Sequence, residues 1–223
     1  YGAAWRGVMF RQTYKSLNEI VTKTRKWFPR IFPGRVRFKE SAQEYKWVWD
    51  SGEELLLRHI KRLSEYEDFH GHEYPWIAWD ELTNWPSLEL YHLLKSCNRS
   101  SHPTVPRRYR ASANPYGPGH NAVKAYFIDP APAGHVMRGE QGLERVRIRG
   151  HWSENTILME AEPEYPSKIV AAALNPQQAK AWLEGDWDVV AGGMFDDVWM
   201  PERQVLRPFP IPSSWRIDRS FAW

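Results

Sequence analysis

Trp76-Ile77-Ala78-Trp79-Asp80-Glu81 is the stretch on which the fold turns. Its apolar residues lead without a break into two adjacent carboxylates. An unbroken apolar segment is the pattern of a strand covered on both faces, as in parallel sheets, and such sheets present ligand-binding groups at the carboxyl ends of their strands. The stretch therefore predicts a buried parallel strand that delivers Asp80 and Glu81 to one sheet edge. Further along, Arg108-Tyr109-Arg110-Ala111-Ser112-Ala113-Asn114-Pro115 predicts a strand closed off by small residues and a proline, which leaves the Asn114 amide at the same edge.

The order of the two acids suits nucleotide chemistry. Magnesium on a triphosphate takes hard oxygen ligands and keeps several waters, so Asp80 is the candidate metal ligand, directly or through water. Glu81 points elsewhere and is the candidate catalytic residue, orienting the water that attacks the terminal phosphate. This is a Walker B arrangement. Asn114, with Ser112 beside it, is the candidate for coupling the site to the terminal phosphate. The plainer alternative is that Asp80 and Glu81 only favour the first turn of a following helix through its dipole.

Taken in order, Phe10-Arg11-Gln12-Thr13-Tyr14, Gly71-His72-Glu73-Tyr74, residues 77–82, Ser112-Ala113-Asn114-Pro115 and Gly185-Asp186-Trp187 resemble the large terminase subunit of tailed bacteriophages, an ATP-driven motor that packages DNA into a capsid. The resemblance covers nearly the whole chain. It implies an α/β fold with a mostly parallel sheet of the P-loop NTPase (RecA-like, ASCE) type flanked by helices. It implies ATP and Mg2+ as cofactors, double-stranded DNA as the translocated substrate, and a portal protein, a small terminase subunit and a homo-oligomeric ring as partners. It also implies the bacterial host cytoplasm and no membrane. By the same resemblance residues 1–200 form the ATPase domain, residues 201–213, with four prolines at 201, 208, 210 and 212, form a linker, and residues 214–223 begin an RNase H-like nuclease. Where that family typically has Ser-Phe-Asp-Trp, with the Asp a metal ligand, this chain has Ser220-Phe221-Ala222-Trp223. Alanine cannot bind a cation, so the nuclease metal position is expected to be lost at Ala222.

No Gly-x-x-x-x-Gly-Lys-Ser/Thr phosphate cradle occurs in the 223 residues. In this fold class the cradle precedes a strand such as residues 5–12, so the chain is expected to be a piece that begins downstream of it. Tyr116-Gly117-Pro118-Gly119 is no substitute, because it lacks the lysine and Pro118 removes an amide donor.

Composition sets wide bounds. With 42% hydrophobic residues and 13 Trp the chain has ample material for a packed core, which excludes a disordered chain. A net charge of +3 permits contact with nucleic acid without demanding it. Cys97 is the single cysteine, which rules out an intrachain disulfide or a thiolate zinc cluster. The longest apolar run, residues 169–174, is far short of the roughly 18 residues of a membrane helix.

Several basic residues are further candidates. Arg11, at the end of the first predicted strand, can serve a phosphate, a neighbouring subunit or a surface ion pair. Arg108 and Arg110, with Arg107, can offset charge on a nucleotide in this subunit or the next. Arg145, Arg147 and Arg149 alternate with Val146 and Ile148, which predicts one strand over residues 143–152 with three guanidinium groups on one face. That face suits DNA phosphates or a charged sheet edge equally. His70, His72 and Glu73 lack the order of a helical zinc motif. Asp196 and Asp197 are assigned no role.

The periodicity predicts helices over residues 14–27, 61–69, 86–97, 121–127, 166–174 and 176–184, with Thr13 capping the first. Strands are predicted over 36–38, 45–49 and 55–59, the last two joined by an Asp50-Ser51-Gly52 turn. Two other functions compete with the motor: a helicase-like ATPase, for which a second motor domain has no room, and a nucleic-acid-binding or assembly module without ATPase activity.

Overall fold

Val8 and Phe10, both fully buried, lie on β1 (Arg6–Arg11), an interior strand of a six-stranded sheet. The computed structural model describes residues 1–41, 44–139, 142–189, 203 and 206–216. The remaining strands of this sheet are β2 (Val36–Ser41), β3 (Glu44–Trp49), β4 (Glu54–His59), β5 (Trp76–Trp79) and β6 (Arg108–Ala111). Their spatial order is β2-β3-β4-β1-β5-β6. β4, β1, β5 and β6 are mutually parallel; β3 pairs antiparallel with β4, and β2 antiparallel with β3. The result is a mixed α/β architecture with a mostly parallel sheet. Gly52, at a φ of +97°, makes the turn between β3 and β4.

α1 (Tyr14–Ile31) starts where expected. The Thr13 hydroxyl accepts from the Ser16 amide at 3.1 Å, and the Ser16 hydroxyl accepts from the Thr13 amide at 3.3 Å. It does not stop ahead of Pro29 but continues to Ile31. The proline falls in the last turn, the Phe32 amide still reaches the Phe28 carbonyl at 2.8 Å, and Phe28 is anchored against Trp47 and Trp49. Leu17, Ile20 and Val21 press this helix onto Trp47, Leu55 and Leu57, covering one face of the sheet. On the other face Val8, Phe10, Ile77 and Trp79 meet Leu82, Trp85, Leu90 and Leu94. Each large apolar side chain fully buried there is worth about 1.5–3 kcal/mol.

The helices covering that second face are shorter than periodicity predicts. Residues 86–97 give only α2 (Glu89–Leu93) and a 3-10 turn, Leu94–Cys97, whose terminal Cys97 carbonyl accepts from the Tyr74 amide at 2.9 Å. Residues 61–69 give a 3-10 helix, Leu63–Asp68, whose Glu65 carboxylate takes the Lys61 amide at 2.7 Å. The segment expected as helix over 121–127 is α3 (His120–Val123) followed by a π-turn, Lys124–Ile128. α4 (Thr156–Ala161), capped by Asn155, carries no periodic signal. α5 (Tyr165–Ala172) and α6 (Pro176–Glu184) each begin with a proline in the first turn, as expected.

The predicted strand over 143–152 forms only in part. Only β8 (Glu144–Val146) forms, paired antiparallel with β7 (Val136–Arg138), so Arg147 and Arg149 lie beyond the strand. Just past the ladder the Gly134 amide donates to the Arg147 carbonyl at 2.8 Å, and the regular pairing goes no further.

The chain divides into two compact units, residues 1–192 and 193–223. In the second, residues 206–216 are exposed, and a turn lets the Trp215 amide donate to the Pro212 carbonyl at 3.0 Å. Asp196, Asp197 and Ala222 lie outside the described residues. Among the described residues no helix is long and apolar enough to cross a membrane.

Candidate functional site

The register of the parallel strands decides which side chains meet. Phe10 stands opposite Trp79, and Trp79 opposite Ala111, so Arg11, Asp80 and Ser112 emerge side by side at the carboxyl edge. The Asp80 amide donates to the Phe10 carbonyl at 3.0 Å and the Ser112 amide to the Trp79 carbonyl at 2.8 Å, which continues the ladder to the site itself.

Arg11 is buried rather than on the surface, and it pairs with both acids. Its Nε donates to Asp80 Oδ2 at 2.6 Å, its Nη2 meets the same oxygen, and its Nη1 donates to Glu81 Oε2 at 2.6 Å. The Ser112 hydroxyl donates to Asp80 Oδ1 at 2.6 Å and accepts from the Glu81 amide at 3.1 Å. Both Asp80 oxygens are thus engaged. The Asn84 side chain donates to Glu81 Oε2 at 2.9 Å, which leaves Oε1 without a partner among the described residues.

Glu81 has a left-handed backbone, φ 58° and ψ 56°, rare for a residue with a side chain and costing about 1–2 kcal/mol. Its surroundings hold it there. The Leu82 amide donates to the Ser112 carbonyl at 2.8 Å, and the Thr83 hydroxyl donates to the Asn114 carbonyl at 2.9 Å. Gly119 then packs backbone to backbone on this turn, its amide 2.8 Å from the Thr83 carbonyl. The kink turns the Glu81 carboxylate off the line of β5. It also bears on the helix-dipole alternative: Glu81 is succeeded by a single 3-10 turn, Leu82–Asn84, and α2 begins only at Glu89.

Asn84, Thr83 and Gln12, whose side-chain amide donates to the Asn84 carbonyl at 2.6 Å, were not among the sequence candidates. Asn84 stands three residues after Glu81, and that spacing across a tight turn is the one signal that points to it.

Asn114 follows β6 at the same edge as Asp80 and is exposed. It lines a cavity of about 610 Å3 that also takes in Arg107, Arg108, Arg110, Arg145, Arg147 and Arg149. Two groups of arginines far apart in sequence therefore share one wall system. None of the six pairs with a carboxylate among the described residues, and Glu144, which also lines the cavity, is held by Arg138 at 2.8 Å. They do not form one free face. Arg145 lies over the Tyr126 ring at 4.1 Å and donates to the Tyr126 carbonyl, Arg149 donates to the Glu184 carbonyl, and the buried Nε of Arg147 has no partner among the described residues.

His70, His72 and Glu73 do not converge. His72 bonds Tyr74, Glu73 takes Ser101 and lies near Arg99, and among the described residues no three acids, histidines or cysteines form a metal-binding group. Glu73 is held below the usual carboxylate range by the Ser101 hydroxyl and amide. Gly185, φ +61°, ends α6, and Trp187 then stacks on the buried His120 ring at 5.2 Å.

No protein-family model and no curated protein matches the sequence. Solved structures do match. The large terminase of a thermophilic bacteriophage, in complex with ADP, superposes with a TM-score of 0.59 at 16% identity, covering 95% of this chain and 47% of that one. The chain shares the fold of part of a phage large terminase. The same protein in the same crystal form gives a TM-score of 0.58 at 17% identity, with coverages of 95% and 47%. A second crystal form gives 0.57 at 14%, with 84% and 41%. This chain spans less than half the length of those chains.

Proposed function

We propose that this chain carries the hydrolytic edge of an ATP-driven DNA-packaging motor, with Asp80 as ligand to a nucleotide-bound Mg2+ and Glu81 as the residue that positions the attacking water. The observation that supports it most is the convergence of Arg11, Asp80, Glu81 and Ser112 at the carboxyl ends of three adjacent parallel strands. The complex of the structural neighbour with ADP makes an adenine nucleotide the ligand to test.

The donor chemistry fits the ion, with both Asp80 oxygens engaged by Arg11 and Ser112 in this structure. Asp80 supplies one hard oxygen donor at a sheet edge with its side chain 17% exposed, and Mg2+ is commonly held by one or two carboxylates together with phosphate and water. When bound, the ion neutralises charge on the phosphates. Glu81 Oε1 accepts a hydrogen bond from water and sets its oxygen in line with the phosphorus, while Asn84 fixes the other carboxylate oxygen. Ser112 bonds both Asp80 and the Glu81 amide, so a pull on β6 or Asn114 is felt by both acids. Arg108 and Arg110 are exposed and without carboxylate partners among the described residues, and they supply positive charge beside Asn114 for phosphates of this site or of a neighbouring copy.

A second reading draws on the six arginines of the cavity: a nucleic-acid-binding module, gripping phosphates without reading sequence. One experiment separates the two. Binding of a fluorescent ADP with Mg2+, and ATP hydrolysis, are measured for the parent chain, Asp80→Asn and Glu81→Gln. The motor reading expects weaker nucleotide binding in Asp80→Asn, and binding retained with hydrolysis lost in Glu81→Gln. Nucleotide binding that neither change touches, or no nucleotide binding alongside salt-dependent binding of duplex DNA, overturns it in favour of the second.

A further inference from the structure

We propose that Arg11 is the resident counter-ion of the Asp80 and Glu81 carboxylates, and that a divalent cation binds Asp80 by displacing its guanidinium. The proposal rests on the reading of Asp80 as a cation ligand, and it assigns Arg11 a role distinct from contact with a neighbouring subunit.

The geometry leaves little room for both cations. Arg11 presents Nε and Nη2 to Asp80 Oδ2, and the Ser112 hydroxyl holds Oδ1. A hard divalent ion needs a carboxylate oxygen at about 2.1 Å. At either oxygen it would stand a few ångströms from a guanidinium whose side chain is only 11% exposed, where like charges repel through little water. Two carboxylates and one guanidinium leave a net charge of −1 in the cluster. A divalent ion in place of Arg11 neutralises both acids, whereas a divalent ion beside Arg11 leaves the cluster positive. Arg11 is also well placed to leave. It sits on the last residue of β1, so the strand can stay paired while the side chain swings out along the sheet edge that carries Asn114.

The test is titration with Mn2+, an oxygen-seeking ion visible by electron paramagnetic resonance, of the full chain and of Arg11→Met, Asp80→Asn and the double variant. Displacement predicts Mn2+ binding ~10-fold or more tighter in Arg11→Met than in the parent, because the competing charge is gone. It also predicts that Mn2+ raises the melting temperature of Arg11→Met more than that of the parent. Asp80→Asn should abolish binding in both backgrounds. Arg11→Lys, which keeps the charge but cannot bridge both acids, serves where Arg11→Met folds poorly and should fall between. Equal or weaker Mn2+ affinity on loss of the guanidinium, with Asp80→Asn still abolishing binding, overturns the displacement and leaves Asp80 a cation ligand. Affinity indifferent to Asp80→Asn, or no binding in any variant, overturns the reading of Asp80 and the displacement with it.

Discussion

Replacing Arg11 with methionine removes a charge from a buried cluster while keeping most of the side-chain volume. Side-chain exposures of 11% for Arg11 and 17% for Asp80 place that pair among those whose rupture leaves an uncompensated charge, at a cost of about 3–5 kcal/mol. The Glu81 arm, with its carboxylate 43% exposed, adds no more than about 1 kcal/mol after screening. A loss of about 3 kcal/mol is therefore expected, at the low end because Ser112 still serves Asp80. Asp80→Asn strands the guanidinium instead and should cost about 2–3 kcal/mol, since Glu81 remains as a partner. The double variant removes both charges, and its loss should fall short of the sum by about 2 kcal/mol. The assay is urea unfolding followed by tryptophan fluorescence, with Trp79 and Trp85 buried in the core beside the site. An Arg11→Met chain within about 0.5 kcal/mol of the parent, or strictly additive single effects, would refute the buried cluster.

Two further outcomes arise from the packing around the site. Gly119→Ala would place a methyl group 2.0 Å from the Trp85 carbonyl oxygen, a backbone atom that cannot swing aside, so a loss of about 3 kcal/mol or more is expected in the same unfolding assay. An unchanged urea midpoint would contradict the close approach. His120 is neutral at pH 7: its Nδ1 accepts from the Tyr116 amide at 2.9 Å and its Nε2 lies 3.1 Å from the Trp187 carbonyl. Burial pushes its pKa below the usual histidine value, against a partial upward pull from the Trp187 carbonyl. The unfolded chain therefore binds the proton more readily. The contribution is fully present above about pH 6.5, the ordinary histidine pKa, and is lost as pH falls through the window down to the folded value. An NMR titration of the ring that gives a folded pKa at or above about 6.5 would contradict this.

Much of the sheet was legible because strand signals are local. The apolar run at 76–79, the β-branched and aromatic residues of β3, and the Asp50-Ser51-Gly52 turn each declare themselves within a few residues. So did the Thr13 cap and the first-turn prolines of α5 and α6. Helix lengths were less legible, since partners distant in sequence bear on them: Pro29 was carried inside α1 by the packing of Phe28 on Trp47 and Trp49. The arginine alternation at 145–149 misled for the same reason, because a strand needs a partner and β7 is only three residues long.

By itself the sequence determined that a parallel strand would carry Asp80 and Glu81 to a sheet edge and that a second would bring Ser112 and Asn114 beside it. Tertiary structure alone decided that Arg11, 69 residues from Asp80, meets it at 2.6 Å, because the contact depends on the register of β1 against β5. It decided as well the left-handed turn at Glu81, a conformation that no local propensity of glutamate favours and that Ser112, Thr83 and Gly119 hold from outside. Side-chain type and spacing are written along the chain, whereas register, strain and charge pairing arise only when segments far apart are packed together.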